Sequence, residues 1–184
     1  MMLESDEIKA QPSSLEAFQN HLNVRLSESV EKNAPSPLLA MRVAGKQWLL
    51  EPSDLEGLDP ISEITPVPLT RSSFLGLANV RGSLYAVSDF NMLAGGEATP
   101  LEKPAMFLLI HPKYGVNAAL LFVGMVSLRG RDMFVASDKA NDIAQEDLAW
   151  CAGHCYEQED NPEPWRKVGV SALLASRDFK EITL

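Results

Sequence analysis

Cysteine and histidine are the side chains of this sequence best suited to metal binding or nucleophilic chemistry, and three of the five cluster. Cys151, His154 and Cys155 form a Cys-x-x-His-Cys group. This group offers three zinc ligands, whereas structural zinc sites take four and no fourth ligand stands at a usual spacing. If the segment is a strand, the two cysteines lie about 13 Å apart, too far for a disulfide. We expect ordinary thiols here, and the alternative is a metal-binding protein that uses these three residues.

Outside this cluster, few residues of the sequence could support catalysis. His21 falls on a predicted amphipathic helix and His111 in a predicted turn, and neither has an evident triad partner in the sequence. The chain also contains no nucleophile elbow and no phosphate-binding loop. The sequence therefore predicts a protein that is not an enzyme and needs no cofactor.

Charge and composition narrow the class of protein further. The 184 residues carry a net charge of −9, and 46% of them are hydrophobic. The negative charge weighs against nucleic-acid binding through phosphate neutralisation, and the apolar fraction is typical of a folded domain. No apolar run approaches the ~18 residues of a membrane-spanning helix, and the N-terminus lacks a signal-peptide pattern. We expect a soluble, cytoplasmic protein without direct membrane insertion.

The acidic residues concentrate in the flanks of the chain. Residues 1–35 carry a net charge of −3 and residues 138–184 carry −5, whereas residues 36–137 carry only −1. A near-neutral centre that keeps several arginines suits protein partners better than nucleic acid.

The N-terminal extension, residues 1–37, is predicted to contain one helix. Ser13 and Glu16 form a capping box, and apolar residues then recur at helical spacing from Leu15 to Val30. We expect a helix over about 14–31 that docks on its own domain or on a partner.

Short apolar segments separated by glycine and proline follow from residue 38 onward. Hairpins are predicted over 38–51 and 105–123, and Asp89 is placed to cap a short helix over Phe90–Leu93. We further expect a strand over 150–157, a turn over 160–164 and a helix over 171–175. Many short strands with little helix between them favour small barrels or a sandwich.

One stretch of the sequence has a specific order of motifs. It contains Thr65-Pro66-Val67-Pro68, then Gly76-Leu77-Ala78-Asn79-Val80-Arg81-Gly82, then Leu84-Tyr85-Ala86-Val87 and Asp89. In this order and spacing the segment resembles the CheW-like family of chemotaxis coupling proteins. The Ala-Asn-Val-Arg-Gly wording and the helical extension look most similar to the PilI branch, which acts in type IV pilus and twitching motility systems.

The resemblance implies a mainly β fold of two intertwined, five-stranded β-barrels with short helices. The CheW-like domain would span 38–184, with a first barrel at about 38–100, a second at about 101–155 and a C-terminal strand and helix in 156–184. Within the first barrel, Leu75, Leu77, Leu84 and Val87 are expected in the core.

Function follows from the same resemblance. Relatives are non-enzymatic adaptors that couple the cytoplasmic tip of a methyl-accepting chemoreceptor to the regulatory domain of a CheA-like histidine kinase. Many also carry Val-Asp-x-Val where this chain has Val123 followed by Gly124. Loss of that acidic residue keeps open the alternative of a receptor-side scaffold without kinase coupling.

The resemblance assigns partner contacts to Arg81, Ile61 and Glu63. Asn79 and Gly82 complete the turn, since an asparagine side chain can bond the turn backbone and glycine tolerates positive φ. Arg81 has a second interpretation, in which it only completes the turn and pairs with a local acid such as Asp89. Ile61 is equally compatible with the core.

Overall fold

Two sheets form the framework of this chain in a computed structural model. The structure describes residues 36–136, 150–151, 155–158 and 161–182, so the helix predicted at 14–31 lies outside the described residues. The flank sheet uses both ends of the described chain: β1 (Leu38–Val43), β2 (Lys46–Leu50), β9 (Val126–Arg129), β10 (Val135–Ala136), β11 (Cys155–Gln158) and β12 (Asn161–Lys167). The central sheet uses the middle: β3 (Leu55–Pro60), β4 (Ile64–Thr65), β5 (Phe74–Val80), β6 (Ser83–Asp89), β7 (Met106–Ile110) and β8 (Ala118–Phe122).

The strand order shows how the chain is intertwined. In the described residues the flank sheet runs β10-β11-β12-β2-β1-β9 and the central sheet β3-β7-β8-β6-β5-β4. Each has six strands where the sequence suggested five, because a two-residue strand, β10 or β4, is added at one edge. The described residues also form three short helices: α1 (Phe90–Leu93), α2 (Val170–Ala175) and α3 (Arg177–Lys180).

Both sheets must curl, because the strands at their two edges are nearly consecutive in the chain. A flat sheet of six strands is about 24 Å wide. Only residues 61–63 separate β3 from β4, and such a link spans at most about 14 Å. Residues 130–134 likewise join β9 to β10 through a 3₁₀ turn at Arg131–Met133. Each sheet is therefore a partly open barrel, which confirms the predicted fold class.

Among the described residues, three apolar clusters form the core. One packs inside the central sheet around Phe107, Leu109 and Leu121, and a smaller one inside the flank sheet around Leu49 and Trp165. The largest lies between the sheets: Trp48, Phe90, Leu108, Ile110, Leu120, Phe122 and Trp150 are among its members. Strands β7 and β8 thus contribute to two cores at once, which explains their uninterrupted apolar sequences.

The C-terminal region differs from the prediction. Trp150 and Cys151 lie in a turn rather than a strand, and β11 begins only at Cys155. The segment expected to turn at 160–164 instead enters β12, which pairs with β11 on one side and in parallel with β2 on the other. Residues Trp165–Lys167 make the pairs with β2, so Pro162 and Pro164 fall outside that ladder.

Candidate functional site

The tightest turn of the central sheet carries Arg81. β5 and β6 pair up to Val80 opposite Ser83, which leaves Arg81 and Gly82 as a two-residue loop. Their φ angles are +51° and +84°. Positive φ at both positions matches the twist of the flanking strands, and glycine adopts it without steric cost. This confirms the expected conformation of Gly82 and shows that Arg81 shares it.

Asn79 stabilises this loop through its side chain. Its Oδ1 accepts a hydrogen bond from the Gly82 amide at 3.0 Å, as the sequence predicted. Its backbone oxygen accepts a second one from the Ser62 hydroxyl at 3.2 Å. The loop is therefore tied to the link between β3 and β4 as well as to its own hairpin.

The Arg81 guanidinium is held by Asp59 at the end of β3. Nε donates to Oδ1 at 3.2 Å, and Nη2 lies 2.8 Å from Oδ2. The arginine side chain is 59% exposed, whereas that of Asp59 is 14% exposed. One hydrogen bond and one close charge contact therefore orient the planar group, while the side chain stays largely exposed.

The sequence suggested Asp89 as the acid that pairs with Arg81, and this prediction is wrong. Its carboxylate caps α1 by accepting from the amides of Asn91 and Met92, and it also binds the amide and hydroxyl of Thr99. Asp89 is fully buried in this role, so it cannot reach the turn. The capping prediction for Asp89 is confirmed.

Glu56 is a second acidic residue near the ion pair of Arg81 and Asp59. The Tyr85 hydroxyl donates to Glu56 at 2.7 Å. This hydrogen bond, together with burial, raises the pKa of Tyr85 to about 12, while the charge of Arg81 acts in the opposite direction. Glu56, Asp59 and Arg81 thus form a charged group around one buried phenol.

Ile61 and Glu63 lie at the same end of the sheet. Ile64 pairs with Ala78, so the register extended by one residue places Glu63 opposite Asn79. Glu63 is exposed, whereas Ile61 is half-buried and packs against the central-sheet core. The structure therefore places Asn79, Arg81 and Gly82 in one turn, and Ile61 and Glu63 on the link that Ser62 ties to Asn79.

Leu84 is an exposed residue that the sequence interpretation placed in the core. Its side chain is 57% exposed, opposite Asn79 in the β5–β6 register. Val87 is fully buried as expected, and Leu75 and Leu77 are partly buried. Alternation from the buried Tyr85 would have assigned Leu84 to the outer face. The exposed Leu84 adds apolar surface to the hairpin that carries Arg81.

The cysteine and histidine cluster gains no support as a metal site in the described part of the chain. Cys151 is buried in the largest apolar cluster. His154 lies outside the described residues, and no group of three His, Cys, Asp or Glu side chains suited to a metal is found among those described. No helix in the same set is long and apolar enough to cross a membrane.

Comparisons with known proteins converge on one family. The sequence model described as a CheW-like domain matches residues 37–131. Among solved structures, the scaffolding protein TtCheW from Thermoanaerobacter tengcongensis aligns with a TM-score of 0.61 and 18% sequence identity. The alignment covers 80% of this chain and 97% of that one. No curated protein sequence gives a significant match.

Proposed function

This chain belongs to the CheW-like family, and we propose that it is a non-enzymatic adaptor in chemosensory signalling. It would act in the cytoplasm, where it couples the tip of a methyl-accepting chemoreceptor to the regulatory domain of a CheA-like histidine kinase. Modest affinity at each surface suffices for such a role, because an assembly with several contacts gains avidity.

The observation that carries this proposal is the Arg81 loop. A tight turn and a two-point contact with Asp59 hold an exposed guanidinium in place, so docking costs little side-chain entropy. Leu84 supplies exposed apolar area on the same hairpin. Arginine is one of the residues that contribute most to binding energy at protein interfaces.

The test must separate binding from folding, because loss of Arg81 leaves the nearly buried Asp59 without its ion pair. We therefore compare Arg81→Gln in an Asp59→Asn background with Asp59→Asn alone. Arg177→Gln is the matched control, since Arg177 is 78% exposed on α3. We expect the double variant to lose co-purification with the kinase regulatory domain or the receptor tip by about tenfold. Undiminished binding by the folded double variant contradicts the role of Arg81.

A receptor-side scaffold without kinase coupling is the second candidate. Val123, which stands where many relatives have an acidic residue, is 37% exposed and sits after β8. Separate pull-downs with the receptor tip and with the kinase domain distinguish the two functions. Binding of the receptor alone favours the scaffold.

We further propose that the output is type IV pilus motility, on the basis of the Ala78–Gly82 wording and the N-terminal extension. A deletion strain should lose twitching and keep swimming. Loss of swimming alone contradicts this assignment.

A further inference from the structure

The inner face of the flank sheet opens into a cleft of about 540 Å³, at a distance in the sequence from the Arg81 loop. Its walls include Ala40 and Arg42 of β1, Gln47 of β2, Ser127 and Arg129 of β9, and Trp165 of β12. These residues share a face because they alternate along their strands and pair across them, as Ala40 does with Ser127 and Gln47 with Trp165.

Arg129 differs from its neighbours in having no acid beside it. Five arginines lie between 2.6 and 3.1 Å from a carboxylate: Arg42, Arg71, Arg81, Arg131 and Arg177. For Arg129, the described part of the chain provides no carboxylate at ion-pair distance, and its buried Nε lacks an acceptor. An unpaired guanidinium is notable in a protein with a net charge of −9.

Packing holds this guanidinium in place. Its central carbon lies 6.0 Å from the centre of the Trp165 ring, within the range of a cation–π contact. Trp165 is 7% exposed, and Phe134 packs edge-on against it at 5.5 Å. The guanidinium of Arg129 is therefore packed against an aromatic ring that is itself held in place. Less side-chain entropy is then lost when a ligand binds.

The chemistry of the walls favours one kind of ligand. Arg129 supplies hydrogen-bond donors and positive charge, and the Arg42 charge is balanced by Glu163 at 3.1 Å. Exposed apolar surface comes mainly from Met125, which is 89% exposed at the rim, whereas Ala40 and Trp165 also line the cleft but are only 2% and 7% exposed. A carboxylate next to an apolar side chain complements this pattern.

We propose that this cleft binds an acidic side chain presented by a partner protein, with the carboxylate on Arg129 and a neighbouring apolar side chain against Trp165 and Met125. The Arg81 loop takes no part in this contact, which adds a binding surface to the proposed adaptor. Because the test uses a peptide and neither kinase nor receptor, its result is independent of the proposed function.

The experiment titrates the full chain with the peptide acetyl-Ala-Leu-Glu-Leu-Ala-amide and follows the indole N–H signals by NMR. We expect the Trp165 signal, assigned by Trp165→Phe, to shift. The Trp48 signal is the internal control, because its Nε1 already donates to the Val43 carbonyl at 3.0 Å. Replacing Glu by Gln in the peptide, or Arg129 by Gln in the protein, should weaken binding by about tenfold.

Two control variants separate the effect of the Arg129 position from the effect of losing a positive charge. Arg177→Gln removes the same charge on α3 and should leave peptide affinity unchanged, while Arg129→Lys keeps the charge and should retain part of it. Equal affinity for the Glu and Gln peptides overturns the proposal. It is also overturned if acetate alone shifts Trp165 at the same concentration, which means a small-anion site. A Trp165 signal that moves with protein concentration, without peptide, means a second copy of the chain and overturns it too.

Discussion

Arg81, in the central sheet, and Arg129, in the flank sheet, are oriented in different ways. Arg81 lies in a two-residue turn and is oriented by Asp59, whose side chain is 14% exposed. Arg129 lies on a strand and is oriented by the ring of Trp165. An ion pair orients a guanidinium but competes with any incoming carboxylate, whereas an aromatic surface orients it without competition. The first arrangement suits a contact made through the outer edge of the group, and the second suits direct capture of an acid.

The largest expected loss of unfolding free energy comes from a substitution in β5, the strand that leads into the Arg81 loop. This substitution lies outside the cleft at Arg129. Gly76 has φ of +129°, and a Cβ there would overlap the carbonyl oxygen of Thr65 in β4. We expect Gly76→Ala to lower the free energy of unfolding by on the order of 3 kcal/mol. Gly95→Ala, at φ of +82° with open space around it, is the control and should cost about 1 kcal/mol. Urea denaturation measures both, and equal losses would show that the contact with Thr65 is unimportant.

The second prediction compares how much unfolding free energy is lost when each of the two arginines is replaced. Arg81→Gln leaves the carboxylate of Asp59 desolvated, so we expect a loss of about 1–2 kcal/mol of unfolding free energy. Arg129→Gln leaves no acid behind in the described residues and should change it by less than about 0.5 kcal/mol. Thermal and urea unfolding of the two variants provide the measurement. A greater loss for Arg129→Gln would mean that its packing on Trp165 outweighs the Asp59 pair.

The smallest effect concerns the phenol beside Arg81. The pKa of Tyr85 is raised from 10.0 to about 12, first by the hydrogen bond to Glu56. Because the folded value exceeds the unfolded one, this bond stabilises the fold below pH 10 and loses its effect as the pH rises towards 12. We expect Glu56→Gln to move the Tyr85 pKa down.

Ultraviolet titration, taken as the difference from Tyr85→Phe, measures that shift. Tyr114 serves as an internal control, because burial and its bond to Asp54 raise its pKa to about 12 without Glu56. An unchanged Tyr85 titration in Glu56→Gln would show that burial alone sets its pKa.

The sequence predicted the parts of the fold that depend on short-range chemistry. The hairpin over 38–51, the Arg81-Gly82 turn and the Asp89 cap all follow from residue types at nearby positions, and all are present, although the first turn contains only Ala44 and Gly45. A C-terminal strand was expected within 156–184, but its position was wrong, because Pro162 and Pro164 indicate a turn and the pairing of β12 with β11 and with the distant β2 overrides that signal.

The candidate site was predictable to a similar extent. Asn79 and Gly82 act within their own turn and were correctly interpreted. The Asp59 partner of Arg81 could not be found from local spacing, because curling of the central sheet brings β3 to the end of the β5–β6 hairpin. The cleft at Arg129 likewise requires β1, β9 and β12 to lie on one curved face.

The packing of strands β7 and β8 on both faces restricts how the two sheets can move. Their side chains alternate between the core inside the central sheet and the core between the sheets, so each strand is clamped from both faces. Protein interiors are close-packed and barely compressible, which means that one sheet cannot rotate over the other without opening voids. The chain should therefore behave as a stiff spacer in an assembly and transmit displacement from one attached partner to the next.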